Sequence, residues 1–132
     1  MFGEKKEIDI RFTYDEAVVM VEANLIKTVL VNLIDNACKA SETDGVVEVI
    51  GQMVDEGYRM AVRDYGIGIP EAEQSKIVKA FYMVDKSRAR SKNGAGLGLA
   101  LCEEILKIHQ SELQIESKVG EGSCFSFVLP ME

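Results

Sequence analysis

The fold is decided by the stretch Asn32-Leu33-Ile34-Asp35-Asn36-Ala37-Cys38-Lys39, which lies within a longer helical pattern at residues 24–41. Apolar side chains recur through that pattern at helical spacing and predict one buried stripe, formed by Ile26, Leu30, Leu33 and Ala37. Asn24 is a suitable N-cap for such a helix. We therefore expect an amphipathic helix that packs against a second layer.

The polar face of this helix carries Asn32, Asn36 and Lys39, because spacings of three and four residues place side chains on one side. Asparagine is a poor helix former, so two on one face favour a functional interpretation. An amide oxygen suits Mg²⁺ as a ligand, and a lysine suits phosphate. An ordinary solvated helix face explains the same residues, and this motif alone does not decide between the two.

Strand patterns and further helical patterns surround this segment. The predicted strands are residues 8–13, 18–21, 46–54, 58–64, 113–117 and 124–129. The other predicted helices are residues 71–80, which follow Pro70, and residues 94–110. The order β-β-α-β-β-α-loop-α-β-β predicts a two-layer α/β sandwich, built as a single domain at residues 1–132.

A first glycine loop follows the predicted strand that ends at Asp64, with glycines at positions 66 and 68. Glycine lets the backbone approach a neighbour or a ligand closely. A carboxylate at this point accepts hydrogen bonds only, and would suit a ligand amine. A plain strand-terminating turn explains these residues equally well.

A second glycine motif, at residues 94–98, opens the last predicted helix. Backbone N–H groups at a helix start form an anion site together with the helix dipole. A dinucleotide-binding fingerprint is the competing interpretation, but it requires a strand directly before the glycines. Residues 86–92 are basic and polar without strand periodicity, so the pattern disfavours that interpretation.

Composition narrows the function classes further. The net charge of −7 argues against a nucleic-acid-binding domain. The three cysteines have wide, irregular spacing, which fits neither a disulfide framework nor a zinc site. No apolar run has the length of a membrane span and the N-terminus lacks a signal peptide pattern, so we expect a cytoplasmic domain without membrane contact. A membrane anchor elsewhere in a longer protein stays open.

Together and in this order, the motifs resemble the histidine-kinase branch of the ATPase superfamily that includes DNA gyrase and the heat-shock chaperone ATPases. Residues 32–39 look like its N box and residues 64–70 like its G1 box. Ala80-Phe81-Tyr82 is similar to the F box, and residues 94–99 are similar to the G2 box. Four boxes in order are far more specific than any one of them.

This resemblance implies the Bergerat fold, a mixed sheet packed under three helices, with a flexible ATP lid at residues 83–93. It implies ATP and Mg²⁺ as cofactors. Asn36 would coordinate the metal, Asn32 would lie near the metal and the γ-phosphate, and Lys39 would contact phosphate.

The resemblance also implies the residues that hold the nucleotide. Asp64 would accept from the adenine amine, in a base pocket shaped by Gly66 and Gly68. The other expected nucleotide-binding residues are Phe81, Lys86, Arg88, Arg90, Gly94, Gly96, Leu97, Gly98 and Leu99. Many relatives have an arginine after the F-box aromatic pair, where this chain has Met83. Which basic lid residue contacts phosphate therefore stays open.

The expected activity is donation of the γ-phosphate to a histidine on a separate helical dimerisation domain, with a response regulator as the indirect partner. Hydrolytic relatives carry a glutamate base at position 32, and an amide cannot take a proton. The single histidine, His109, falls at a predicted helix end, where a structural role is expected. No dimerisation helix precedes Ile8, so the chain resembles a piece of a longer kinase. A nucleotide-binding regulatory module and an ATP hydrolase are the alternatives.

Overall fold

The architecture is a single sheet with helices on one face. A computed structural model describes residues 7–69 and 95–130, and for residues 95–98 it describes the backbone alone. In chain order the elements are β1 (Asp9–Tyr14), α1 (Ala23–Ala40), β2 (Val46–Val54), β3 (Gly57–Asp64), α2 (Ala95–Ile108), β4 (Gln114–Lys118) and β5 (Gly122–Pro130). The helices α1 and α2 and both hairpins are thus confirmed close to their predicted ends. The predicted helix at 71–80, the aromatic motif at 80–82 and the lid at 83–93 lie outside the described residues.

The sheet has the strand order β1-β2-β3-β5-β4. Strand β1 runs parallel to β2, and every other neighbouring pair is antiparallel, which confirms a mixed sheet. The register aligns Val49 with Val62 and Val62 with Phe125. Aligned residues face the same side of a sheet, so these side chains form one apolar row beneath the helices.

The two helices cover that row and lie against each other. The core contains side chains from both layers: Ile26, Val29, Leu33, Ala37, Val47, Val49, Val62, Leu99, Cys102, Ile105, Leu106, Phe127 and Leu129. Burying these apolar groups is the main favourable contribution to folding. The predicted two-layer α/β sandwich is therefore confirmed. No helix within residues 7–69 and 95–130 is long and apolar enough to cross a membrane.

Helices α1 and α2 run antiparallel, as two contacts establish. At one end, the backbone N–H of Glu22 donates to Nε2 of His109 over 3.1 Å. One helical stretch further along, Sγ of Cys102 lies 3.8 Å from the carbonyl oxygen of Val29. From the first contact to the second, the residue on the α1 side moves seven positions forward, from Glu22 to Val29. The residue on the α2 side moves seven positions back, from His109 to Cys102.

The start of α1 differs from its prediction. The helix begins at Ala23 with Glu22 in the N-cap position, and the amides of Leu25 and Ile26 donate to the Glu22 carbonyl. Asn24 is therefore inside the first turn and is not the N-cap, so that prediction was wrong. The fully buried stripe also includes Val29 where we had expected Leu30, which is half-buried against the core.

The strand predicted at residues 18–21 was also wrong, because these residues belong to no strand. Val19 and Val21 pack against the core while Val18 and Met20 are exposed. The side chains of residues 18–21 are therefore alternately exposed and partly buried, although their backbone does not pair with a strand. The chain leaves the sheet at Asp15, whose amide donates to Gly51 and whose carbonyl accepts from the Tyr58 hydroxyl.

Strand β1 is confirmed as a strand, but its apolar residues are not buried. Ile10 and Phe12 align with the core residues Val47 and Val49, so they face the helix-covered side. They remain exposed because β1 is the outer strand of the sheet, beyond the part that α1 covers.

Candidate nucleotide site

The polar face of α1 carries an unpartnered buried amide. Among residues 7–69 and 95–130, Nδ2 of Asn36 is the one buried side-chain nitrogen or oxygen without a hydrogen-bond partner. A buried polar group left in this condition destabilises a fold by roughly 1–3 kcal/mol. A half-turn of the amide presents its oxygen at the same place, and an amide oxygen is a ligand that Mg²⁺ accepts. The position therefore fits a cation ligand.

The other two predicted residues of this face already have local partners. Nδ2 of Asn32 donates to the carbonyl oxygen of Thr28 over 3.0 Å. Nζ of Lys39 lies 3.1 Å from Oδ2 of Asp35, and both side chains are more than half exposed. An exposed pair of this kind contributes only about 0.3–0.5 kcal/mol, so breaking the contact with Asp35 costs little.

Asp64 is a buried carboxylate at the end of β3, with 2% of its surface exposed. Its Oδ1 accepts from the amides of Gly66 at 2.9 Å and Ser123 at 3.3 Å. Its Oδ2 accepts no hydrogen bond from another residue in 7–69 or 95–130, so that oxygen can accept one from a ligand. Burial raises the pKa of Asp64 above its ordinary value, and the two amides and Arg63 act in the opposite direction.

The glycines of the first loop allow close backbone packing. A Cβ on Gly66 would lie 2.1 Å from the carbonyl oxygen of Ala40, and one on Gly68 would lie 2.1 Å from that of Lys118. Gly68 also has a φ of +79°, which side-chain-bearing residues rarely adopt. Ala40 lies one turn beyond Asn36 on the same helix face, so Gly66 brings the loop beside the asparagine face.

The start of α2 reaches the same region. Val29 on α1 and Cys102 on α2 lie side by side. Asn36 is seven residues after Val29, and Ala95 is seven residues before Cys102, a distance of about 10.5 Å along each helix. Because the helices are antiparallel, Asn36 lies level with the first residue of α2. The backbone N–H groups of a helix start, together with its dipole, attract anions. An anion site thus adjoins the unpartnered amide.

The other predicted nucleotide-binding residues, in the second glycine motif and before it, divide into three groups. Gly96, Leu97 and Gly98 lie in the first turn of α2, where the backbone alone is described. Leu99 is 2% exposed and packs in the hydrophobic core, so its side chain anchors the start of the helix. The remaining predicted residues lie outside the described part of the chain: Phe81, Lys86, Arg88, Arg90 and Gly94.

Sequence reasoning missed two serines that brace the first glycine loop. The register aligns Asp64 with Ser123, and Ser123 with Ser117, in one row that crosses three strands. The Ser117 and Ser123 hydroxyls lie 2.7 Å apart, and Ser117 also accepts from the amide of Ile69. A serine at a helix-facing strand position is a weak signal, so only the register could identify this row.

The described residues contain no group of three or more histidine, cysteine or acidic side chains that could enclose a metal ion. Mg²⁺ is commonly bound by one or two protein ligands together with substrate phosphates. The amide of Asn36, beside the anion site at the start of α2, matches a Mg²⁺ site of this kind. Its donor set suits a metal that arrives with a phosphorylated ligand.

Residues 20–132 match the family described as histidine kinase-, DNA gyrase B-, and HSP90-like ATPases. The chain is also 38% identical over 114 residues to the adaptive-response sensory kinase SasA of Crocosphaera subtropica. That match covers 86% of this chain and 29% of SasA. The chain thus spans less than a third of the length of this relative.

Solved structures agree with this match. The nucleotide-free catalytic domain of histidine kinase ThkA superposes with a TM-score of 0.76 at 28% identity, covering 93% of this chain and 78% of that one. Full-length ShkA, solved in complex with AMPPNP, superposes with a TM-score of 0.75 at 25% identity, covering 93% of this chain and 25% of that one. The fold is therefore that of histidine kinase catalytic domains, the Bergerat fold. The chain belongs to the family of histidine kinase-, DNA gyrase B- and HSP90-like ATPases, as a domain of the sensor histidine kinase type.

Proposed function

We propose that the chain binds Mg-ATP and donates its γ-phosphate to a histidine on a separate helical dimerisation domain, within a two-component signalling pathway. The observation that carries this proposal is the buried, unpartnered amide of Asn36, level with the start of α2. A cation ligand beside an anion site is the arrangement that a metal–triphosphate complex requires. The AMPPNP bound by the similar kinase ShkA supports this ligand class.

In this proposal the described residues bind the nucleotide from both ends. Asp64 accepts from the adenine amine through Oδ2, while its Oδ1 stays bonded to the amides of Gly66 and Ser123. Asn36 would hold Mg²⁺, which would neutralise phosphate charge when bound. Lys39 and the N–H groups at the start of α2 add positive charge around the phosphates. Phe81, Lys86, Arg88, Arg90 and Gly94 stay predicted contacts.

The residue at position 32 favours histidine as the acceptor. An amide cannot remove a proton from water or from a hydroxyl group, so Asn32 does not supply the base that hydrolysis needs. A neutral imidazole is already a nucleophile. Its nitrogen attacks the γ-phosphorus, the bond to the β-phosphate oxygen breaks, and ADP leaves. The domain then needs only to position ATP and to stabilise charge.

The acceptor is not His109 in this proposal. His109 follows the end of α2, and 14 residues of helix place it about 20 Å from the start of that helix. Its Nε2 accepts from the Glu22 amide, and its Nδ1 lies 2.9 Å from the carbonyl oxygen of Ile105. Both ring nitrogens therefore have structural partners. The acceptor histidine belongs to another part of a longer protein, in line with the 29% of SasA that the chain spans.

Labelled ATP tests the proposal directly. We expect the domain alone to bind Mg-ATP, to hydrolyse it very slowly and to remain unlabelled. Addition of the helical dimerisation domain from the same full-length kinase should produce acid-labile label on that domain. Binding without transfer would favour a regulatory module, and rapid turnover would favour an ATP hydrolase. Label on the domain alone that is lost in His109→Gln would make His109 the acceptor.

A further inference from the structure

We propose that Ser117 is a positioning residue for adenine recognition: its hydroxyl ties the first glycine loop to the β4–β5 hairpin and so sets the position of Asp64. This inference rests on the proposed function, because it deepens the role of the same nucleotide site. Ser117 lies on β4, outside the four sequence boxes at residues 32–39, 64–70, 80–82 and 94–99.

Three segments meet at the Ser117 hydroxyl. Oγ accepts from the amide of Ile69, at the end of the first glycine loop, over 2.7 Å. It donates to the carbonyl oxygen of Gly122 over 3.0 Å and lies 2.7 Å from Oγ of Ser123. A hydroxyl has one proton and two lone pairs, so that of Ser117 can donate to Gly122 while it accepts from Ile69 and Ser123.

The same row of the sheet leads from Ser117 to the carboxylate. Ser117 aligns with Ser123, and Ser123 aligns with Asp64. The Ser123 amide donates to Oδ1 of Asp64, which orients the carboxyl group. The hydroxyl of Ser117 therefore contacts both the loop that follows Asp64, at Ile69, and the strand β5 that orients Asp64, at Ser123.

Within the described residues, a backbone bond also joins the loop to the hairpin. The Gly120 amide donates to the carbonyl oxygen of Ile67 over 2.9 Å. Gly68 and Gly122 allow the two backbones to approach, since a Cβ on Gly122 would lie 2.1 Å from the Asp64 carbonyl oxygen. Among residues 7–69 and 95–130, Ser117 supplies the only side chain of the hairpin that bonds to the loop backbone. A substitution can remove this tie, whereas the backbone bond would remain.

Loss of the hydroxyl should impair recognition of the base amine in particular. Without the hydroxyl, the hydrogen bond from the Ile69 amide to β4 is lost, and the loop is held less firmly at the end nearest Ser117. Asp64 would then spend less time in the geometry that accepts from adenine. Inosine triphosphate carries a carbonyl group in place of the adenine amine. It lacks the amine that donates to Asp64 in this proposal, so its affinity should depend far less on the position of that carboxylate.

The experiment compares affinities for Mg-ATP and Mg-inosine triphosphate by titration calorimetry in the parent chain, Ser117→Ala, Ser117→Thr and Ser111→Ala. Ser111 is the matched control, because its hydroxyl donates to the carbonyl oxygen of Val128 on the same strand β5, away from the loop. We expect Ser117→Ala to weaken ATP binding roughly five- to tenfold with inosine triphosphate nearly unchanged. Ser117→Thr keeps the hydroxyl and should restore the parent ratio, and Ser111→Ala should leave both affinities unchanged.

Two further measurements separate positioning from general destabilisation. In the Asp64→Asn background, Ser117→Ala should cause no further loss of ATP affinity, because the carboxylate that it positions is gone. Amide hydrogen exchange at Ile69 should accelerate in Ser117→Ala and stay unchanged in Ser111→Ala. This proposal alone is overturned if Ser117→Ala has the same ratio of ATP affinity to inosine triphosphate affinity as the parent chain. It is also overturned if amide exchange at Ile69 is unaltered in Ser117→Ala. A parent chain that binds neither nucleotide overturns the proposed function as well.

Discussion

The two ends of the antiparallel helix pair α1 and α2 differ in how their polar groups are satisfied. At the closed end, Glu22 and His109 are bonded to each other, and the second nitrogen of His109 lies 2.9 Å from the Ile105 carbonyl oxygen. At the open end, Asn36 keeps an unpartnered buried nitrogen, and Asp64 is a buried carboxylate. The same two helices therefore end in a completed contact on one side and in unmet bonding capacity on the other.

This difference separates structural polar groups from groups intended for a ligand. Buried polar atoms in folded proteins are nearly always bonded, because an unmet bond destabilises the fold. The closed end follows that rule, so its histidine needs no ligand to explain it. The open end departs from the rule at Asn36, and Asp64 has an oxygen, Oδ2, that accepts no hydrogen bond within residues 7–69 and 95–130. A phosphorylated ligand with its metal would satisfy both.

The largest expected effect is at Asp64, at the open end. Asp64→Asn should weaken ATP binding roughly 10- to 100-fold, because a charge-assisted hydrogen bond contributes about 1.5–3 kcal/mol. The preference for ATP over GTP should fall with it, since guanine has a carbonyl group where adenine has its amine. Titration of parent and variant with both nucleotides measures this. A parent chain that binds the two equally well would contradict the role of Asp64.

The next effect is at Asn36. Asn36→Ala should weaken ATP binding in Mg²⁺ roughly tenfold more than in EDTA, because only the metal complex loses a ligand. Its free energy of unfolding without nucleotide should stay equal or increase, since the variant removes a buried nitrogen that has no hydrogen bond to give up. Calorimetric titrations in the two buffers, with urea denaturation of the same variant, make the comparison. Equal weakening in Mg²⁺ and EDTA would exclude Asn36 as the metal ligand.

The closed end should behave in the opposite way. His109→Phe removes the acceptor for the Glu22 amide and should lower the free energy of unfolding by about 0.5–1.5 kcal/mol. ATP affinity of the folded domain should stay within about twofold, because the helix start is about 20 Å away. His109→Gln retains an acceptor and serves as the control. A large loss of ATP affinity in a folded His109→Phe variant would break the distinction between the ends.

The smallest effect concerns pH at the open end. Burial raises the pKa of Asp64 in the folded chain, while the unfolded chain keeps the ordinary value. Between those two values the folded state binds more protons, so the contribution of Asp64 to stability rises as pH falls and is complete below the ordinary pKa. The Gly66 and Ser123 amides limit the change by opposing the effect of burial.

Urea denaturation without nucleotide, from pH 7 downward, measures this effect. The stability of the parent relative to Asp64→Asn should increase as pH falls. ATP affinity of the parent should decrease over the same range, because protonation removes the charge on the acceptor. A relative stability that falls with acidification would show that the pKa of Asp64 is lowered on folding.

Local patterns predicted most of the elements and the open-end residues. Helix α1 and the two hairpins follow from the spacing of apolar residues, which depends on near neighbours in the chain. Asp64 was predicted at a strand end and observed there. The errors fell where distant contacts decide: residues 18–21 alternate in burial without any strand partner, and Ile10 and Phe12 stay exposed on an outer strand.

The sequence by itself determined most of the elements, the family and the identity of Asn36 and Asp64 as candidate ligands, because each depends on residue type and short-range spacing. Only the tertiary structure decided that Asn36 lies level with the start of α2, since that depends on how two helices separated by more than 50 residues pack. It also decided that Ser117 contacts Ile69, 48 residues away. A hydroxyl on a strand has no preferred partner until the register places one within bonding distance.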